Sequence, residues 1–97
     1  MPGRLTLLFG EGASTAPRDI WIIGNRHKRN PYVGRRVRCT WLRPWGRKPE
    51  GYTVEGVLEA TFRAPYGRAL IGEVRTDQGK KVSCPWSRNY LSVEVLD

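Results

Sequence analysis

Between Asn25 and Lys48 the chain carries nine cationic side chains: Arg26, Lys28, Arg29, Arg35, Arg36, Arg38, Arg43, Arg47 and Lys48. His27 lies among them, and the window holds no Asp or Glu. Outside it eight bases face nine acids, so the net charge of +8 belongs to this one stretch. Guanidinium groups grip phosphate bidentately and stack on flat rings, and Tyr32, Trp41 and Trp45 are interleaved with them. An exposed Trp gives a single strand a stacking platform worth about 1–3 kcal/mol per base. The expected nucleic-acid-binding set is therefore Arg26, Lys28, Arg29, Arg35, Arg36, Arg38, Arg43, Trp45, Arg47 and Lys48. A GC-rich genome would account for 13 Arg against 4 Lys, but not for a window that excludes every acid.

Other chemistries lack their residues. A structural zinc site needs four ligands at short spacings, whereas Cys39 and Cys84 stand far apart and His27 is the single histidine. Nucleophilic catalysis needs a base beside Ser or Cys and a third group to orient it. His27 instead sits in a basic connector. Glu55 and Glu59, four residues apart on one strand face, are separated by about 13 Å, too far for joint acid–base work. No glycine pattern of the phosphate-loop or dinucleotide type opens a helix. The expectation is a protein without enzymatic activity, metal or cofactor.

A chain of 97 residues with 39% hydrophobic side chains is too apolar to be wholly disordered. It is too short for two domains with a cleft between them. Its longest apolar runs fall well below the roughly 20 residues that span a bilayer, and Met1 to Phe9 falls short of a secretory segment. A cytoplasmic location is expected, with Cys39 and Cys84 as buried free thiols.

The elements that must position these residues read as strands. Eleven Gly and seven Pro interrupt any helical period, while alternation with period two recurs. Val37, Cys39 and Trp41 share one face of Arg36 to Leu42, with Arg36 and Arg38 opposite, so Trp41 is expected in the core. In Thr53 to Phe62 the even positions Val54, Gly56, Leu58, Ala60 and Phe62 form the inner face. Ala69 to Arg75, Lys80 to Cys84 and Leu91 to Val95 complete five short strands within Gly34 to Asp97, with a long loop from Arg43 to Tyr52. Trp45, flanked by Pro, Gly and charge, is expected to be exposed. Before residue 34, Leu5, Leu7 and Phe9 alternate and Asp19 to Ile23 forms a second apolar strand candidate. These predict a hairpin extension over 1–33, joined through the basic connector Gly24 to Pro31 to a barrel over 34–97.

The stretch Cys84-Pro85-Trp86-Ser87-Arg88-Asn89-Tyr90-Leu91-Ser92-Val93 resembles the turn and final strand that close many SH3 domains. That resemblance, with the strand layout, implies an all-β fold, an SH3-like small barrel of about five strands with an N-terminal β-hairpin extension. In peptide-binding SH3 domains the matching turn supplies groove aromatics, here Pro85, Trp86 and Tyr90. That family places acids in the long loop, where this chain has Arg43, Arg47 and Lys48. A basic Pro-rich ligand would be repelled.

The function expected from the sequence is non-enzymatic binding of nucleic acid, DNA or RNA, with weak sequence preference, since no recognition helix is available. The alternative is a small accessory or regulatory module, of the kind some viruses encode, that docks its basic face on an acidic partner protein. A third reading, a subunit of a larger assembly, follows from the thin core and the apolar run Ile20 to Ile23.

Overall fold

In the computed structural model residues 16–97 are described, and Leu5 to Phe9, the first strand of the expected hairpin, lies outside them. The period-two alternation becomes strand throughout. Five strands form, β1 (Arg36–Trp41), β2 (Thr53–Arg63), β3 (Leu70–Thr76), β4 (Lys81–Pro85) and β5 (Leu91–Val95). They make one antiparallel sheet in the order β4-β3-β2-β1-β5. The only described helix is a four-residue 3₁₀ turn, Arg18–Trp21, and no described helix is long and apolar enough to cross a membrane.

β1 pairs on both edges, with β2 and with β5. Val37 lies opposite Gly56 and Val95, and Cys39 opposite Val54 and Val93, so inward alternation on three strands falls into phase. Val37, Cys39, Trp41, Leu58, Val74, Cys84, Trp86, Leu91 and Val93 are all fully or nearly fully buried. Cys39 of β1 lies beside Cys84 of β4 in the core, although β2 and β3 stand between those strands. A flat sheet would hold them about 14 Å apart, so the sheet rolls around its core. Among the described residues no ladder joins the outer strands β4 and β5.

β2 departs from the simple alternation. A bulge between Leu58 and Ala60 shifts its register against β3. The inner face runs Val54, Gly56, Leu58 and then Thr61, while Ala60 and Phe62 are half-buried. An extra residue re-aims everything beyond it, which is why a period counted from Thr53 fails at Thr61. The Thr61 hydroxyl donates to the Ile22 carbonyl at 2.8 Å and accepts from the Gly24 amide at 2.9 Å.

Those bonds also shape the segment before it, where the sequence pattern predicts a strand. Asp19 to Ile23 is not a strand: Arg18–Trp21 is a 3₁₀ turn entered through Pro17, followed by extended backbone at Ile22. Side chains, rather than a partner strand, satisfy its backbone. Buried Asn30 donates through Nδ2 to the carbonyls of Ile20, 2.7 Å, and Ile22, 2.8 Å. Trp86 Nε1 donates to the Ile20 carbonyl, also at 2.7 Å. Ile20 is wholly buried, and Trp21 packs against Trp86 with ring centroids 5.5 Å apart. The apolar run is thus covered by the sheet's own core.

Candidate nucleic-acid interface

The basic stretch is dispersed by the fold into three places. The first is the outer face of β1. Arg36 binds Asp77 through both terminal nitrogens, at 3.1 and 2.8 Å, and reaches Glu55 at 3.5 Å. Arg38 bridges Glu94 at 2.8 Å and Glu55 at 3.3 Å, and Arg35 Nε holds Asp97 at 2.8 Å. Hydrogen bonding and the charge of Arg36 hold the Asp77 carboxyl below its ordinary value. Arg35 does the same for Asp97, helped by the Arg36 amide. Three arginines therefore face four carboxylates. A segment free of acids along the chain is surrounded by them in space, because β2, β5, the β3–β4 turn and Asp97 beyond β5 supply them.

The second place is the connector. The Asn25 carboxamide oxygen accepts from the amides of His27, 2.8 Å, and Lys28, 2.9 Å, and Asn25 N donates to the Lys28 carbonyl at 2.8 Å. A side chain that caps its own turn in this way fixes the backbone locally. Arg26, His27, Lys28 and Arg29 are thereby displayed on an ordered, exposed turn. With Glu59, Ala60 and Thr61 they line an open cavity of about 510 Å³. Glu59 is already bound by Arg75 at 2.7 Å and Lys81 at 3.7 Å, so its carboxylate is not left to the turn.

The third is the β1–β2 loop. Trp45 and Lys48 exchange both backbone hydrogen bonds at 3.0 Å, with Gly46 at φ 59° and Arg47 at φ 69° between them. Two left-handed central residues define a type I′ turn, which projects Arg47 into solvent. Trp45 is half-buried rather than exposed and packs at the margin of the core, while its carbonyl accepts from Trp41 Nε1 at 3.0 Å. Arg43 lies over the Tyr90 ring at 5.1 Å and Lys48 over Tyr52 at 4.7 Å. Beside Trp45 a cleft of about 270 Å³ opens between Arg68, Leu70, Pro85, Ser87 and Tyr90.

Of the ten expected site residues, the fold gathers Arg26, Lys28 and Arg29 on one turn and Arg43, Trp45, Arg47 and Lys48 on one loop. It commits Arg35, Arg36 and Arg38 to carboxylates. Trp86, 1% exposed, is core, leaving Tyr90 as the aromatic of the closing turn that reaches the surface. Arg68 lay outside the acid-free window and was not anticipated. Its signal is the short segment Ala64-Pro65-Tyr66-Gly67-Arg68, which repeats the loop's combination of Pro, Gly, aromatic and Arg, and whose Tyr66 is 92% exposed. The neighbouring Cys84 thiol and burial push the Cys39 thiol well above its ordinary value, so it stays protonated. Compared with known protein families, curated proteins and solved structures, the chain has no match.

Proposed function

We propose that the protein binds nucleic acid without catalysing a reaction, holding phosphates on the Arg26–Arg29 turn and the Arg43–Lys48 loop. The observation that carries this reading is the partition of cations. Among the described residues, Arg26, Lys28, Arg29, Arg43, Arg47 and Lys48 have no carboxylate within 4.0 Å, whereas every basic residue on the β1 face has one. Free cations on ordered turns release counterions when they meet phosphate, and that release drives binding. The rolled sheet and its strand order support an SH3-like small barrel as the scaffold, and two buried free thiols suit a reducing cytoplasm.

Fluorescence anisotropy with labelled single- and double-stranded oligonucleotides at low salt tests the proposal. Six phosphate contacts give a log–log salt slope near −4 on a single strand and near −5 on a duplex. Reversal of Arg26 and Arg29 to Glu weakens binding and flattens the slope. The pair Arg36→Glu and Arg38→Glu changes the slope little. Absence of binding to any DNA or RNA probe overturns the reading.

A further inference from the structure

We propose that the cleft beside Trp45 takes one unpaired nucleobase, stacked on the indole with its flanking phosphates on Arg43 and Arg68, and so directs the protein to single strands. This rests on the nucleic-acid reading above and adds to it a base-binding element and a strand preference.

The cleft is built by three separate connections: Trp45 from the β1–β2 loop, Arg68 to Leu70 from the β2–β3 connection, and Pro85, Ser87 and Tyr90 from the turn before β5. Its volume of about 270 Å³ lies below the roughly 300–1,000 Å³ usual for small-molecule sites. That suits a single flat ring system better than a folded ligand. Leu70 and Pro85 supply an apolar floor, Trp45 and Tyr90 the aromatic surfaces, and no carboxylate lines it. Arg68 lines the cleft, and Arg43, outside the lining, lies over the ring of the cleft's Tyr90 at 5.1 Å. Both can meet phosphate or lie flat against a base.

The backbone that carries the aromatics is held in place before a ligand arrives, which lowers the cost of ordering it on binding. Trp45 is fixed by its paired bonds to Lys48 and by the bond that its carbonyl accepts from Trp41. Tyr90 N donates to the Ser87 carbonyl at 3.0 Å, and the Tyr90 carbonyl accepts from Leu42 N at 2.8 Å. The second basic site is close in register. Leu70 pairs with Arg63, two residues along β2 from Thr61 of the connector cavity, or about 7 Å of strand. A base inside a duplex is stacked on both faces and does not reach such a cleft without unpairing, so the preference for single strands follows from the geometry.

The test is an anisotropy titration of labelled oligothymidylate and of a duplex, with the full chain and with Trp45→Ala, Tyr90→Ala and Arg68→Glu. The full chain binds the single strand more tightly than the duplex. Trp45→Ala loses between about 5- and 150-fold on the single strand, the range of one stacked base, and less than about twofold on the duplex. Arg68 is exposed and has no described carboxylate partner, so Arg68→Glu keeps the test valid should Trp45→Ala fail to fold. If all three variants bind oligothymidylate as the full chain does while the Arg26 and Arg29 reversal weakens it, the cleft proposal falls and the broader reading stands. If the full chain binds neither probe, both fall. If an aromatic acidic peptide binds in a Trp45-dependent way and oligothymidylate does not, the cleft serves a protein partner and the proposal is overturned.

Discussion

Arg47 is the sole described non-glycine residue with a left-handed backbone, at φ 69°, a conformation that costs an L-residue roughly 1–2 kcal/mol. Among the described residues its side chain makes no ion pair, and the turn at Gly46-Arg47 would be satisfied by a second glycine. Strain retained at an exposed tip suits a side chain kept there for what it binds. Arg47→Gly is therefore expected to raise stability by about 1 kcal/mol in urea denaturation and to weaken oligonucleotide binding. A destabilised variant would show that the turn is not strained. At this scale the sequence was informative about residue type and silent about partnership. Trp41 was legible as core because it shares the phase of Val37 and Cys39. Trp45 was placed in solvent because its neighbours are polar, yet the indole rests on the core margin, since the loop folds back far enough for its carbonyl to meet Trp41.

Among the elements, all five strands were legible because a period of two is written in residues adjacent along the chain. The segment from Pro17 to Gly24 was not. An apolar run of four residues is compatible with a strand or a tight turn, and the choice is made by Asn30, Thr61 and Trp86, whose polar atoms take its carbonyls. Asn30 is 1% exposed, and its Oδ1 also accepts from the Tyr32 amide at 2.8 Å. Asn30→Ala removes one of the two side-chain donors from each of the Ile20 and Ile22 carbonyls and leaves the Tyr32 amide without its acceptor, and it is expected to cost about 1–3 kcal/mol, read as a lower urea midpoint. It should also leave the Trp21 indole more open to acrylamide quenching. An unchanged midpoint would mean that the segment is not held through Asn30. The β2 bulge is a comparable case: the inward turn of Thr61 pairs with the arrival of Ile22 and Gly24, which no local pattern contains.

Over the whole molecule, the β1 face is a lattice of opposite charges reaching across four strands and connections. Asp77 and Asp97 are held below their ordinary 3.8, so the folded state binds protons less readily than the unfolded chain. Stability from these pairs is fully present above the unfolded carboxylate range and is lost as pH falls through it toward the depressed folded values. The midpoint temperature is expected to drop on acidification below about pH 5. Asp77→Asn should lower it at neutral pH and make the acid decline shallower, and added salt should do the same because the pairs are exposed. An acid profile unaltered by Asp77→Asn would remove this network from the account. The positions of the five strands, their phases up to the β2 bulge and the total and clustering of positive charge followed from the sequence alone, because they depend on residues adjacent in the chain. Only the tertiary structure decided which of the nine clustered cations are free. Arg36 meets Asp77 and Arg38 meets Glu94 across 41 and 56 residues, and such encounters are set by how the sheet pairs and rolls.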